Sequence, residues 1–503
     1  MKSFLKSTIC LFLCLIFMLS VVSCNRGNND EDTDTTNPIV ETDDVGDDEN
    51  TEEALYKPTE KNYDREFVMG IGDTLSYIGV AEDYRLGADS IVSDAMYMRN
   101  LFLEEKFGIT VIAKVVSASD FETQDMAGTQ TCDIYSHTGG YICPFTIKGY
   151  FKDLNALSGM NLSASYWGQN MQEEYNILGK LFFVEGDFET RNEDRVPVVT
   201  FNEKVWADNG FYTTYGTPYS MVKDGTWTWE TMLTMIDGMY QDLDDNQMFS
   251  AADRVGLITD GGMPTALLRS AGYKTMTFSD GEIALNVDAS NYWNGYYNTL
   301  DAVLKKYMDN ESIVFHDDFA RLGASNYWPD VYAMVRENRA LFRYTALSSV
   351  LGYGDMASRF GILPVPKYDS DSPYVCYQVG TAAGMTAISR LTSDANQTAE
   401  IFEILNYYSR YGANSVYNAY LETYRLSHFC ETAEDLEMLE FVFSVRVHDA
   451  DSGFKISGVQ SEITPFVGAR KDLSSLYSTF YAKKESAQTK VDDFLVKILE
   501  LKG

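Results

Sequence analysis

The chain has 503 residues, 45% of them hydrophobic, seven cysteines and a formal charge of −34 from 74 acidic and 40 basic side chains. A chain this long exceeds what one hydrophobic core fills, so two lobes or domains are expected. The carboxylate excess argues against nucleic acid and anionic lipid surfaces as partners, and the sparse cysteines exclude a disulfide scaffold.

Lys2 and Lys6 precede an apolar run from Ile9 to Val22, short of the roughly 20 residues that span a bilayer core. Residues 1–24 read as a signal peptide. It closes on Val21-Val22-Ser23-Cys24, which resembles the lipobox of bacterial lipoproteins. The resemblance implies lipidation of Cys24, with palmitate or a similar chain, and anchoring to the outer face of the cytoplasmic membrane in a Gram-positive-like envelope. A transmembrane anchor or an ordinary cleaved signal are the alternatives. Residues 25–62, rich in Asp, Glu, Thr and Asn, bury too little to repay ordering and read as a disordered acidic tether. Such a coil would hold a domain roughly 30 Å from the lipid.

The body opens with Glu66 to Gly72 as a buried strand. A helix from Ser90 to Phe107 follows, with Ile91, Met98, Leu101 and Phe102 near one face. The β-branched stretch from Ile109 to Val116, a helical stretch around Phe121 to Ala127, and a strand from Cys132 to Ser136 complete a β-α-β-α-β series. That series predicts a parallel, right-handed sheet covered by helices, with ligands beyond the strand ends at Asp73, Ser117 and His137-Thr138-Gly139-Gly140-Tyr141. Lys180 to Phe188 and Val196 to Asn202 are strand-like. Thr228 caps a helix carrying Glu230 in its first turn, residues 341–389 supply strands and turns, and the last third is helical. With no internal repeat and no second linker, the lobes should interleave.

Glu185, Asp187 and Glu189 alternate, so on a strand they share one face and need cationic or hydrogen-bonding partners there. Polyhydroxylated sugar would serve; a solvated edge paired with Arg191 or Arg195 is the plain alternative, and a glycosidase acid and nucleophile the catalytic one. Asp242, Asp244, Asn246, Met248, Ser250 and Asp253 follow the spacing of an EF-hand calcium loop. Gln247 stands where that loop prefers glycine and Asp253 where it prefers glutamate; an acidic surface turn is the alternative to a structural calcium ion. Trp167, Trp206, Trp227, Trp229, Trp328 and Tyr377 offer aromatic surface to a cleft, with Trp229, at a helix start, better suited to the core. No P-loop, no Gly-x-Ser-x-Gly elbow and no His-Glu-x-x-His helix is present, and the histidines are too dispersed for a local zinc motif.

The order of DAMYMRNLFLEEKFGITVIAKVV, DIYSHTGGY, GYFKDLNAL, LGKLFFVEGDF, VVTFNEKVW, GTWTWETM and RFGILPVPKYD resembles the extracellular solute-binding proteins of family 1, the sugar-type receptors of ABC importers, especially Clostridia-like members. The resemblance implies an α/β, two-lobed periplasmic-binding-protein type II fold with interleaved lobes and crossing hinge strands. Lobe 1 would hold residues 63–190 and 380–412, and lobe 2 residues 191–379 and 413–503. It also implies ligand contacts at Asp73, His137, Gly140 and Tyr141 in lobe 1, at Glu189 on the crossing strand, and at Arg343 and Tyr344 in lobe 2, where many relatives place a tryptophan. Trp328 and Tyr377 join them as candidate contacts. The implied protein is a monomer without catalysis or a required cofactor that passes a carbohydrate to permease subunits. A ligand-sensing module for a sensor kinase is the competing binding role.

Overall fold

The computed structural model describes residues 58, 60–72, 91–279, 282–285, 298–299, 305–322, 326–354, 356–425, 430–458 and 473–501. Residues from Leu55 onward form one compact unit. The expected signal peptide, its Cys24, Asp73 and nearly all of the expected acidic tether lie outside the described residues.

β1 (Arg65–Ile71), α1 (Ile91–Phe107), β2 (Ile109–Val115), α2 (Ala118–Ala127), β3 (Ile134–Thr138) and α3 (Gly139–Ile147) follow in order. The Ser117 side chain accepts from the Asp120 amide at 3.1 Å and fixes the start of α2. The expected apolar face of α1 is corrected. Ile91, Met98 and Leu101 are exposed, and Val92, Ala95, Met96, Arg99, Leu103 and Phe107 are buried. Arg99 belongs to that inward stripe, donating to the Ser409 hydroxyl at 2.8 Å and the Phe188 carbonyl at 3.3 Å. A charged residue in the middle of the stripe is what hid its periodicity.

The chain then crosses to β4 (Pro197–Asn202), α4 (Trp229–Ile236), β5 (Val255–Thr259), α5 (Met263–Ser270), β6 (Ile313–Phe315), α6 (Trp328–Arg336), β7 (Ala340–Ala346) and β8 (Phe360–Leu363). Thr228 caps α4 as expected, accepting from the Thr231 amide at 3.2 Å. Residues 180–188 form isolated bridges rather than a continuous strand. The return path runs through β9 (Cys376–Tyr377) and β10 (Gly384–Ile388). Helices α7 (Ala395–Tyr411), α8 (Val416–Arg425) and α9 (Ala433–Ser444), β11 (Arg446–Val447), α10 (Ala450–Phe454) and α11 (Leu473–Glu500) close the chain.

One sheet has the order β10-β3-β1-β2, with β1 parallel to β2 and β3 and β10 antiparallel to β3. The other has the order β8-β4-β7-β5-β6, with β5 parallel to β7 and β6 and β4 antiparallel to its neighbours. The parallel core of the first sheet is as expected; its antiparallel edge comes from a strand about 250 residues downstream of β3, as the pairing Ser136↔Thr386 shows. The strand VGLIT of β5 is buried throughout, the pattern of a strand covered on both faces. The protein is therefore a two-lobed α/β fold whose chain passes between lobes repeatedly.

The division of residues 413–503 differs from the expectation. α8 packs on α1, α10 packs on α3, and Phe454 of α10 meets Phe494 of α11 at 5.0 Å, all on the side of the first sheet, whereas α9 packs on β8 of the second. Amphipathic helices bury equally well on either sheet, so their pattern does not name the sheet.

Candidate ligand cleft

In the first lobe the end of β3 turns directly into α3, and two glycines make room there. A Cβ on Gly72 would sit 2.1 Å from the His137 ring, and one on Gly139 would sit 2.2 Å from the Gly380 carbonyl. The Gly140 amide donates to the Thr381 carbonyl at 3.1 Å. The Thr138 amide donates to His137 Nδ1 at 2.7 Å, so the ring carries its proton on Nε2. The His137 and Tyr141 rings lie 4.1 Å apart, with His137 buried and Tyr141 42% exposed. Three of the four residues expected in this lobe thus gather at one strand end, and the fourth, Asp73, lies outside the described residues.

In the second lobe Arg343 and Tyr344 are consecutive on β7 and point to opposite faces. Arg343 is buried, with no hydrogen-bond acceptor among the described residues. Its guanidinium lies over the rings of Tyr332 at 5.1 Å, Tyr353 at 5.4 Å and Trp328 at 5.5 Å. Burial and then the Arg343 charge push the His316 pKa down to about 4. His316 is therefore neutral at pH 7, packed on Tyr327 and Trp328 at 4.8 and 5.2 Å. Asp260 follows β5; burial raises its pKa, opposed by the Gly262 amide, which donates to it at 2.7 Å, and by Arg343. The Tyr344 phenol, on the other face, feels the same carboxylate and is raised well above its ordinary value, chiefly by burial. Asp260 and His316 complete the cluster, although neither is among the candidate contacts expected from the sequence. The closing turn of VGLITDGG repeats the pattern of the SHTGG turn after β3 and was the available signal.

The crossing segments are tied by Asn192. Its Nδ2 donates to the Gly384 carbonyl at 2.9 Å, while its Oδ1 accepts from the Gly384 amide at 2.7 Å and from Gln378 Nε2 at 3.0 Å. Beside them Glu185, Asp187, Glu189 and Glu193 line a pocket of about 330 Å³ with Trp167, Tyr417 and other residues. The solvated-edge reading of these carboxylates is corrected. Glu185 is buried, accepts from Arg446 at 2.8 Å and lies 3.4 Å from His448 Nε2. Burial opposes its charge, yet Arg446 and His448 hold its pKa down at about 2. Asp187 meets Arg410 at 3.2 Å, but burial lifts it to about 7. Glu189 has no side-chain hydrogen bond or ion pair among the described residues, and burial, then repulsion from Glu193, push it to about 8.

The aromatic expectation is corrected for Trp167, Trp206, Trp227 and Tyr377, whereas Trp229 lies in the core as its place at a helix start predicts. Trp167, Trp206, Trp227 and Trp229 are buried core residues, and each indole N–H is already spent: on Glu403 at 2.9 Å, the Gly216 carbonyl at 3.2 Å, the Pro364 carbonyl at 2.9 Å and the Ser270 hydroxyl at 2.7 Å. Tyr377 is buried under the Arg269 guanidinium at 5.1 Å. Of the six rings, Trp328 alone stays partly exposed.

The acidic loop takes the shape its spacing suggests. Oxygens of Asp242, Asp244 and Asp253 lie within 4.8 Å of one another. Gln247, at the glycine position, adopts φ +58°, the left-handed turn that the loop needs. The Asn246 and Gln247 amides donate to Asp242 at 3.2 and 2.7 Å, and the Ser250 hydroxyl to Asp244 at 2.8 Å. This set of hard oxygen donors fits calcium, with the Met248 backbone carbonyl at the position that supplies one ligand.

No family model matches the chain, and no curated protein matches it. Among solved structures it is similar to the ABC substrate-binding protein Lmo0181 from Listeria monocytogenes in complex with cycloalternan, at 12% identity and a TM-score of 0.53, covering 86% of this chain and 100% of that one. It is similar to a cyclo/maltodextrin-binding protein complexed with maltotetraose, at 12% identity and a TM-score of 0.51, covering 89% and 99%. The third is UspC of M. tuberculosis, at 13% identity and a TM-score of 0.51, covering 84% and 100%. At these identities the likeness is one of fold.

Proposed function

We propose that the chain is a lipid-anchored extracellular receptor that binds a sugar or oligosaccharide between its lobes and delivers it to the permease of an ABC importer. The carrying observation is the pair of polar and aromatic clusters at the strand ends of the two lobes: His137, Gly140 and Tyr141 in one; Asp260, His316, Trp328, Arg343 and Tyr344 in the other. Buried polar groups beside aromatic faces suit sugar hydroxyls and ring faces, and two of the similar structures hold cycloalternan and maltotetraose. Ligand bridging both clusters would favour the closed arrangement only by its differential affinity for it.

No helix among the described residues is long and apolar enough to cross a membrane; membrane attachment is assigned to lipid on Cys24 from the lipobox-like Val21-Val22-Ser23-Cys24. The calcium loop is assigned a structural role, and the receptor acts as a monomer. Binding rather than hydrolysis is favoured because Glu185 and Asp187 are engaged by Arg446 and Arg410.

A thermal-shift screen of the soluble body against oligosaccharides, peptides and polyamines tests the ligand class. Upward shifts with oligosaccharides are expected, and shifts with peptides alone overturn the sugar assignment. Capture of permease subunits separates the importer role from a sensor-kinase role. Fatty-acid labelling should disappear in Cys24→Ala; label that persists removes the anchor.

A further inference from the structure

Seven charged side chains line the pocket beside the hinge: Glu185, Asp187, Glu189, Glu193 and Glu440 against Arg410 and Arg446. The arginines are already committed. Arg446 takes Glu185 at 2.8 Å and Glu193 at 2.9 Å, and Arg410 takes Asp187 at 3.2 Å. Glu189 is 3% exposed, lines the pocket and has neither an ion pair nor a side-chain hydrogen bond among the described residues. Burial and Glu193 keep this carboxyl protonated at pH 7 despite the Arg191 charge, so it ionises there only when something cationic reaches it.

From this we infer that the hinge pocket binds a small organic cation, its ammonium group meeting Glu189 and its carbon skeleton lying toward Trp167, Tyr417 and Phe443. A metal ion fits less well. Among the described residues the group of carboxylates close enough to share one ion is Asp242, Asp244 and Asp253, none of which lines this pocket. The hinge carboxylates are spread over a volume of about 330 Å³, at the lower end of small-molecule sites. The inference does not depend on which solute the main cleft accepts.

Two consequences follow from the surroundings. Glu189 and Asp187 hold protons more tightly than ordinary carboxyls. A bound ammonium would stabilise their ionised forms, so its uptake near pH 7 releases protons. The groups that set this balance are Glu185, Glu193, Arg191, Arg410 and Arg446, named with the pair itself. The walls also come from both lobes: Trp167 and Glu185 beside the first sheet, and Glu440, Phe443 and Ser444 on α9, which packs on the second. An occupant therefore senses the lobe angle.

The test is calorimetric titration of the full chain in detergent micelles with ethanolamine, putrescine and glucosamine, each paired with the alcohol of the same skeleton: ethylene glycol, 1,4-butanediol and glucose. At least one amine should bind about tenfold more tightly than its alcohol and release protons, as read from two buffers of different ionisation enthalpy. Glu189→Gln and, separately, the exposed-wall variant Glu440→Gln should each weaken that amine. No amine binding, equal binding of amine and alcohol, or binding unchanged in Glu189→Gln overturns the inference. Oligosaccharide titration of the same samples keeps the two readings apart: sugar binding without amine binding sinks this inference alone, and amine binding without sugar binding sinks the receptor's sugar assignment alone.

Discussion

Glu185 and Glu189 stand four residues apart and titrate in opposite directions. Glu185, held down at about 2 by Arg446 and His448 against its burial, stabilises the folded chain above the ordinary value of 4.5 and loses that contribution as the pH falls toward 2. Glu189 does the reverse. Lifted to about 8, it binds its proton more tightly folded than unfolded, so between pH 4.5 and about 8 the folded chain holds more protons and stability falls as the pH rises. Glu189→Gln should therefore melt at the parent temperature near pH 5 but about 2 °C or more above it at pH 8. Thermal unfolding at the two pH values checks this, and equal melting at pH 8 would show that the carboxyl has a cation already. A second residue-scale effect sits at Gly139. Its Cβ space is filled by the Gly380 carbonyl, so Gly139→Ala should displace the 380–384 return segment and cost about 1–3 kcal/mol, measurable by denaturant unfolding. The alternation of the carboxylates was legible in the sequence, but their partners were not. Arg446 lies 261 residues from Glu185, a pairing that only the fold creates. Trp167, Trp206 and Trp227 are ambiguous in the sequence for a related reason: a core indole and a stacking indole look alike until the N–H partner is known.

Elements differ in how much their own residues specify. β2 is a run of β-branched residues, and α2 and α4 start on Ser117 and Thr228, whose side chains cap them; both kinds of signal are local and were readable. The position of α1 is legible in its sequence but its buried face is not, because the buried stripe contains Arg99 and the exposed face contains Met98 and Leu101. The acidic loop was readable in both spacing and shape, Gln247 taking the left-handed turn despite its side chain. A non-glycine residue in that conformation is strained by roughly 1 kcal/mol, and calcium would hold the turn in place. Adding millimolar calcium to the chelator-treated protein should raise its melting temperature, and Asp244→Asn should abolish the rise. The readout is differential scanning calorimetry, and an equal rise with magnesium would reduce the effect to general screening. Gln247→Gly should raise stability without calcium by about 1 kcal/mol, since it relieves the same strain.

At the scale of the molecule, two lobes and their interleaving were legible from length, from the absence of a second linker and from the β-α-β order. The share-out of the C-terminal helices was not, because a helix stripe fits either sheet. What holds the lobes together was equally hidden. Arg269 of α5, which follows β5 in the second lobe, pairs with Asp449 at the start of α10, which packs on the first. Both side chains are buried, and the Thr275 hydroxyl donates to Asp451 alongside them. Lys274 meets Glu174 nearby, but that pair is partly exposed and contributes little. Removing one member of a buried pair strands the other charge, at about 3–5 kcal/mol. Arg269→Leu should therefore weaken the lobe contact, giving a larger radius of gyration in solution scattering. Its oligosaccharide affinity should fall about tenfold for each 1.4 kcal/mol of closure energy lost. Adding Asp449→Asn removes the stranded charge while keeping a side chain able to cap α10, where Asp449 accepts from the Asp451 amide at 2.9 Å. The double variant should recover much of both properties. If Arg269→Leu binds ligand as the parent does and scatters identically, this ion pair does not govern the lobe angle, and closure must rest on the ligand and the Asn192 hinge alone.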